Sequence, residues 1–562
     1  MGQWTFSPRL EMPGSRKSKK SGKKNKHRHH GGGGSERHSE QSENGDQHEE
    51  EADATAFEQQ KQNPEDEEII LEDNLPYVIK KSEVMGRYLV ASRDLKAGEL
   101  IMVVDPIVVG PPQGCQPLCL GCYKKLDVDE NLYRCEACGW PQCGRSCPGR
   151  GKQYGHSIAE CRLYEGLKPK LIQTKDLAPL YLTVVPVRCL LLQEQDPEKW
   201  RALLTMEAHN DIRRALPVIW RNNQENVVDK IRKEWGLVQY EEDLIHTICG
   251  ILEVNAFEVG QEGVSIRALF PRAFYMAHDC VPNTGHTDDK NFRLRVRATT
   301  KILKGSSINL SYAYTLQGTL KRREHLKESK FFDCTCARCS DPTELGTYAG
   351  ALKCPQCAGT VLSTAPLDRE AEWRCVGPNC PGYAVPARSV TLLMDKIGDE
   401  VESLEDSDIP ALEAFLSRYH NVLHPNHYHF LGVLHSLCQL YGKAPGFLIN
   451  DMTEAQLRHK RDICRQLLKV VDILEPGYSR LRGVLLYELH APLMILTTRG
   501  VEARTISYRD LRSRLKEVAA CLEESSIILN FEPEASHEGM MGLAAKDALT
   551  RVREWQRIIV NS

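Results

Sequence analysis

The sequence predicts an α+β multidomain chain: a β-rich part interrupted by a cysteine-rich finger, two further zinc-binding segments and an all-α C-terminal domain. Three observations carry this prediction. Fifteen of the 21 cysteines, with one histidine, fall at zinc-ligand spacings. The run from Gly86 to Leu100 reads as a strand, a charged turn closed by Gly98, and a second strand. Beyond about residue 395, apolar side chains return at helical intervals to the end of the chain.

Residues 1–68 come before all of this. Residues 16–28 carry eight Lys or Arg and no acid, while residues 43–72 carry twelve Asp or Glu against Lys61 alone. Both stretches are poor in large apolar residues and Gly31 to Gly34 lie between them, so residues 1–68 are expected to be disordered. The basic run suits a nuclear-import address or a polyanion-binding arm, or is a solvated tail. No run of about eighteen apolar residues is present to span a bilayer. The N-terminus lacks the charged-then-apolar pattern of an export signal. Cysteines in such number without that pattern predict metal binding in a reducing compartment, the nucleus, the cytoplasm or both.

The first cysteine-rich segment reads Cys119-x2-Cys122, Cys135-x2-Cys138, Cys143-x3-Cys147 and His156-x4-Cys161. Eight ligands within about forty residues suit two tetrahedral zinc ions. So short a segment buries little apolar area, and zinc must supply most of its folding free energy, of order 10–16 kcal/mol per ion. Residues 165–250 then read mainly as helices, with apolar runs at Leu180 to Leu192 and Trp200 to Leu204. Asn255-Ala256-Phe257-Glu258 follows, then the stretch from Ala277 to Asn283, then a strand from Ser307 to Tyr312.

Cys334-x-Cys336-x2-Cys339 lacks a fourth ligand, and Cys280, 54 positions before Cys334, is the candidate that closes the set. Cys354-x2-Cys357 and Cys375-x4-Cys380 are close to a zinc ribbon with a loosened second knuckle. Each set fills four positions, so about four structural zinc ions are expected and no catalytic one. Cys115, Cys189, Cys249, Cys438, Cys464 and Cys521 have no ligand spacing and read as small buried apolar residues. In the C-terminal domain Leu412, Phe415, Leu416, Tyr419 and Leu423 share a helical face, as do Leu467, Val470, Val471 and Leu474, and then Val552, Trp555 and Ile559. Pro425, Pro445, Pro476 and Pro533 fall between the expected helices.

This order of segments resembles the SET domain of protein-lysine methyltransferases. A MYND finger inserted after the first strands makes the chain look like the SET-and-MYND family. The fourth cysteine set and the Gly86-Arg87-Tyr88-Leu89 opening are most like its arthropod SmydA branch. The resemblance implies SET strands over 75–118, the MYND finger over 119–161 and the SET helical insert and core over 162–315. It further implies a post-SET zinc segment over 316–345, the extra zinc knuckle over 346–390 and a superhelical domain like tetratricopeptide repeats over 395–562. No strict repeat period accompanies that last domain, so a simple bundle is an equal reading. On the MYND pattern Cys119, Cys122, Cys143 and Cys147 share one zinc, while Cys135, Cys138, His156 and Cys161 share the other. The family places three residues between its last His and Cys, and this chain has four.

The resemblance also implies S-adenosylmethionine as cofactor, bound by Gly86, Arg87, Asn255, His278, Tyr312 and Phe332, with Tyr312 as the active-site tyrosine. Asn255 would bond the cofactor's polar end, the backbone at His278 would hold the adenine, and Phe332 would cover it. Two residues depart from the pattern. Tyr88 stands where the family has the second glycine of Gly-x-Gly, and its ring is expected to hinder the cofactor. Ala277 stands where the family has asparagine, which removes a hydrogen bond of roughly 1.5–3 kcal/mol.

Two functions follow. The first is a protein-lysine methyltransferase acting on a histone or another protein. The second is a SET-and-MYND adaptor of repressor type, whose finger binds proline-rich peptides of partners such as a co-repressor without methyl transfer. No membrane association is expected. The net charge of -3 and the lack of a helix-turn-helix or finger-helix pattern set aside direct nucleic-acid binding beyond the basic tail.

Overall fold

The computed structural model describes residues 67–69 and 74–561, except 84, 128–131, 175, 261–264 and 406–407. The disorder expected for residues 1–66 lies outside the described residues. At its edge the expectation needs correcting, because Glu67–Ile69 is a strand, β1, with Glu67 opposite Lys81 and Ile69 opposite Ile79. It extends a meander with β2 (Tyr77–Ser82) and β3 (Gly86–Ala91), in which Tyr77 faces Ala91, Ile79 faces Leu89 and Lys80 faces Tyr88. The two-residue pleat puts Tyr77, Ile79, Leu89 and Ala91 together in the core.

β4 (Leu100–Val104) and β5 (Val108–Gly110) lead into the cysteine-rich finger, which among its described residues has turns and single bridges rather than regular elements. The finger rests on aromatic packing. Trp140, fully buried, meets Tyr164 at 5.2 Å and Tyr181 at 5.3 Å between ring centroids, and Tyr164 meets Trp235 edge-on at 5.2 Å. These rings come from α1 (Ile158–Glu165), from α3 (Ala178–Gln195), which follows α2 (Lys168–Gln173), and from the turn before α7. The helical insert continues through α4 (Pro197–Leu204), α5 (Asn210–Arg214), α6 (Pro217–Asn223) and α7 (Glu242–Asn255), as the apolar runs predict.

The remaining strands knit back across the chain. β6 (Phe257–Val259) and β7 (Ile266–Leu269) pair with β5 in the order β5-β7-β6. β8 (Ala277–His278) precedes β9 (Thr284–Asp288) and β10 (Leu294–Ala298), which join β4 in the order β4-β10-β9. The strand expected over Ser307–Tyr312 is shorter, confined to β11 (Asn309–Leu310), which runs parallel to β8 with Leu310 opposite His278. It stops there because the Tyr312 amide turns to the His278 imidazole instead of continuing the ladder.

α8 (Thr319–Lys330) and α9 (Ala337–Ser340) carry the next zinc segment. A four-stranded antiparallel sheet follows, built of β12 (Leu352–Lys353), β13 (Thr360–Ser363), β14 (Trp373–Cys375) and β15 (Ala384–Val385). The helical domain begins earlier than about 395: α10 spans Ala387–Ser403, started by Pro386 at its N-cap, whose fixed φ suits a helix entry. It continues with α11 (Ile409–Tyr419), α12 (Tyr428–Leu440), α13 (Glu454–Leu474), α14 (Arg480–Glu502), α15 (Tyr508–Leu529) and α16 (His537–Asn561). The four prolines named above all lie between helices. Thr453 with Gln456, and Ser507 with Asp510, close the starts of α13 and α15 as capping boxes. Leu412, Phe415, Leu423, Leu467, Val470, Val471, Leu474 and Val552 enter one large core, whereas Trp555 is 43% exposed, against expectation. No helix among the described residues is long and apolar enough to cross a membrane.

The helical domain docks on the strands through the turn between α13 and α14, the start of α14 and the turn after α15. Tyr478 donates its amide to the Thr299 carbonyl at 2.8 Å, Arg480 reaches the His286 carbonyl at 3.2 Å, and Arg297 lies 4.7 Å from the Phe531 ring centroid. Gly477 makes this approach possible. Its φ is +78°, and a Cβ there would lie 2.1 Å from the Thr299 carbonyl oxygen.

Candidate functional site

The four expected ligand sets assemble, each with its ligand atoms mutually within 4.8 Å: Cys119, Cys122, Cys143, Cys147; Cys135, Cys138, His156, Cys161; Cys280, Cys334, Cys336, Cys339; and Cys354, Cys357, Cys375, Cys380. Sulfurs about 2.3 Å from one tetrahedral zinc lie about 3.8 Å apart. The observed Sγ separations match: Cys119–Cys147 3.5 Å, Cys122–Cys143 3.6 Å, Cys135–Cys161 3.7 Å, Cys280–Cys339 3.6 Å and Cys354–Cys380 3.8 Å. These groups are compatible with structural zinc. His156 places Nε2 3.3 Å from Cys138 Sγ despite the extra residue before Cys161. None of the 21 cysteines is in a disulfide, and of the six without ligand spacing only Cys115 is not buried.

The surroundings of the ligands were not foreseen. His156 Nδ1 lies 3.0 Å from Glu160 Oε2, and Glu160 accepts from Arg188 at 2.7 and 3.0 Å. Arg188 also donates to the Val109 carbonyl at 2.8 Å and to the Tyr123 hydroxyl at 2.7 Å, so one buried ion pair ties finger, strand and helix together. Burial opposes ionisation of Glu160, yet Arg188 and His156 outweigh it and hold the carboxyl below its usual range. A carboxylate behind a ligating histidine fixes the ring and raises its basicity.

At the third set, Arg322 donates to Cys280 Sγ at 3.2 Å and to Cys339 Sγ at 3.5 Å. A zinc with four thiolates carries a net charge of about -2, and this guanidinium offsets part of it. Glu344 orients Arg322 at 2.7 Å and Arg338 at 2.9 Å, and Arg338 donates to the Cys280 carbonyl at 3.4 Å. In the fourth set the backbone amides of Gly359, Gly377 and Tyr383 point at Cys357, Cys375 and Cys380 sulfurs at 3.3–3.4 Å.

The third set adjoins the residues expected at the cofactor. His278 Nε2 lies 3.2 Å from Cys280 Sγ, and its Nδ1 accepts the Tyr312 amide at 3.0 Å, so Nε2 carries the proton. The Tyr312 hydroxyl donates to the Met276 carbonyl, and burial pushes its pKa up to about 12. The His278 ring stands 5.3 Å from that of Tyr312 and 5.8 Å from that of Phe332. Asn255 ends α7, with its amide nitrogen spent on the Glu207 carbonyl at 2.8 Å and the Ile251 carbonyl at 2.9 Å. Arg87 reaches the Thr205 carbonyl at 2.5 Å, the Glu207 carboxylate at 3.5 Å and the Tyr275 hydroxyl at 3.5 Å. The six residues expected at the cofactor therefore lie on the elements that meet here: β3, the end of α7, β8, the turn after β11 and the end of α8.

Strand pleat separates Tyr88 from its neighbours. Arg87 and Leu89 share one face of β3, Leu89 in the core, and the pleat sends Tyr88, itself buried, to the opposite face beside Lys80. Its ring is thus turned from the face that holds Arg87. Gly86 has φ +64° and no atom within 4 Å of a Cβ built on it, which leaves that backbone approachable. A cofactor with an adenosine and an amino-acid end fits the open backbone at Gly86 and the aromatic pair His278 and Phe332. The polar end is less well served, since Asn255 is engaged and Ala277 offers no amide. Asp279 beside it accepts the Val281 amide at 2.8 Å through Oδ1.

One residue at the pocket carried no sequence signal. Lys330, the last residue of α8, donates from Nζ to the Val254 carbonyl at 2.6 Å, reaches the Glu253 carbonyl at 3.4 Å, and stands 5.6 Å from the Tyr312 ring centroid.

The SET domain profile matches residues 86–313, which contain Gly86, the finger, Asn255, His278 and Tyr312. SmydA-8 isoform B of Drosophila melanogaster, named a SET domain-containing protein, is 30% identical over 344 residues, 59% of this chain and 73% of the relative. The chain belongs to the SET-and-MYND family. Other SET relatives are more distant. ASHR1 of Arabidopsis thaliana, named a histone-lysine N-methyltransferase, is 27% identical over 270 residues, 46% of this chain and 53% of its own length. SMYD2 of Homo sapiens, named an N-lysine methyltransferase, is 26% identical over 237 residues, 38% of this chain and 52% of its own. In this SET-and-MYND protein the fold is that of S-adenosylmethionine-dependent SET domains, and the cysteine sets are those of structural zinc.

Proposed function

We propose that this SET-and-MYND protein is a protein-lysine N-methyltransferase, acting in the nucleus or cytoplasm on a histone or another protein. The observation that carries the reading is the parallel pairing of β8 with β11, which brings His278, Met276 and Tyr312 into one hydrogen-bonded group beside Phe332. Gly86, Arg87, Asn255, His278, Tyr312 and Phe332 would hold S-adenosylmethionine. When bound, that cofactor supplies a sulfonium-linked methyl to a neutral lysine amine. Tyr312, its hydroxyl fixed on the Met276 carbonyl, positions the reacting groups, and the rings of His278 and Phe332 keep water away from them.

A second reading is favoured by the spent amide of Asn255 and the missing one at Ala277. In it the SET scaffold holds cofactor weakly and the MYND finger recruits partners through proline-rich peptides, as a repressor-type adaptor. Calorimetric titration with S-adenosylmethionine separates the two. The enzyme reading expects saturable binding, followed by methyl groups on histone or other protein lysines by mass spectrometry. Absence of heat at millimolar cofactor removes it and leaves the adaptor.

A further inference from the structure

Lys330 has no place in the function described so far, yet its ammonium stands among the residues assigned to the cofactor. It sits at the carboxyl end of α7, bonded to the carbonyl of the residue before Asn255, near the Tyr312 ring and two positions before Phe332. A cation is well placed there by elementary electrostatics. The last carbonyls of a helix carry partial negative charge, and the face of an aromatic ring attracts positive charge. The negative partners are all partial, however. Among the described residues no carboxylate lies within ion-pair distance of Nζ; the Glu253 side chain is turned to Arg213 at 3.0 Å and Asn223 at 2.8 Å. Burial, and behind it the charge of Arg267, pushes the Lys330 pKa down to about 8, as expected of a desolvated ammonium without a counter-ion.

S-adenosylmethionine carries a positive sulfonium at the methyl to be transferred, and its demethylated product, S-adenosylhomocysteine, carries a neutral thioether in the same place. The two otherwise share every group. An uncompensated ammonium beside Tyr312 repels the first at that atom and leaves the second untouched.

We propose that Lys330 is the residue that sets this protein's preference between charged donor and neutral product, disfavouring the sulfonium form. The inference rests on the methyl-donor reading of the pocket, and it makes the protein one that holds the spent cofactor more tightly than the fresh one. Lys330 also makes ordinary structural bonds, so a role in holding α7 to α8 must be told apart from a role in charge discrimination.

The test is calorimetric titration of the full chain with each ligand, for wild type and for Lys330→Met, which keeps length and removes charge. Wild type is expected to bind S-adenosylhomocysteine about tenfold more tightly than S-adenosylmethionine, the scale of one like-charge contact in a partly solvated site. In Lys330→Met that gap is expected to close through tighter binding of S-adenosylmethionine. An unchanged gap, or equal weakening of both ligands, overturns the role of Lys330 and leaves the methyl-donor pocket standing; equal weakening would mean Lys330 holds the carboxylate both ligands share. Absence of binding of both ligands to both proteins at millimolar concentration overturns both the inference and the reading beneath it. If Lys330→Met does not fold, the wild-type order decides alone: tighter binding of S-adenosylmethionine than of S-adenosylhomocysteine overturns the proposal.

Discussion

At the scale of single residues, the ligands and their supports are unequal in how far sequence reveals them. Cys280 could be paired with Cys334, Cys336 and Cys339 because three thiolates need a fourth, a rule that needs no fold. Arg322, Arg338 and Glu344 obey no spacing and are assembled only by the way α8 and α9 meet the segment after β8. Glu160 is intermediate. It stands four residues after His156 on a helix start, so a carboxylate behind the histidine was open to inference, but Arg188 beneath it was not. Glu160→Gln is expected to weaken zinc binding at the second set by about 10–100-fold in chelator competition. It should also destabilise the protein by about 3–5 kcal/mol, because Arg188 is left buried without its carboxylate. Unchanged zinc release would show that the carboxylate does not tune the ligand. Tyr88 is a case where sequence names the departure but only strand pleat says which face its ring takes, opposite to that of Arg87 and Leu89.

Among the elements, periodicity predicted helices well and short strands poorly. α13 buries apolar residues at helical spacing and α3 is buried nearly all round, whereas β8 and β11, with two residues each, exist only because tertiary bonds define them. The turn from α13 to α14 was expected at Pro476, but its role in docking the helical domain was not, since that depends on the space left beside Thr299. Gly477→Ala tests it. The substituted residue would need φ near +78° and would clash with the Thr299 carbonyl. Strain and displacement together are expected to cost more than about 3 kcal/mol in denaturant unfolding, against about 1–2 kcal/mol for Gly446→Ala, which has φ +81° but an open Cβ position and so carries the strain without the clash. A loss below about 1 kcal/mol would mean the two domains do not rely on this contact.

For the molecule as a whole, buried imidazoles make acid the expected weakness. Burial pushes His246, His286, His429 and His435 down to about 4, with Arg213, Arg480 and Lys321 adding to the effect at the first three. Unfolded histidine titrates near about 6.5, so below that value the unfolded chain takes up protons these four refuse in the native state. Stability is therefore fully present above about pH 6.5 and falls as pH drops toward 4. Denaturant midpoints at about pH 7 and about pH 5.5, with zinc content followed by mass spectrometry, are expected to show the fall before metal is released. Equal midpoints with zinc retained would contradict it. The broad plan, α+β with a cysteine-rich finger and a helical end, was legible because metal spacing and helical period survive any packing. The candidate cofactor site could be proposed only through family likeness, since its walls come from segments more than two hundred residues apart. Those walls share one consequence. Cys280 touches His278, and His278 holds the main chain of Tyr312, so a metal ion and a phenol are three touching links apart. Sequestering the ion would slacken the ring that holds Tyr312, so that trace-element supply would govern the proposed methyl transfer without any dedicated regulator.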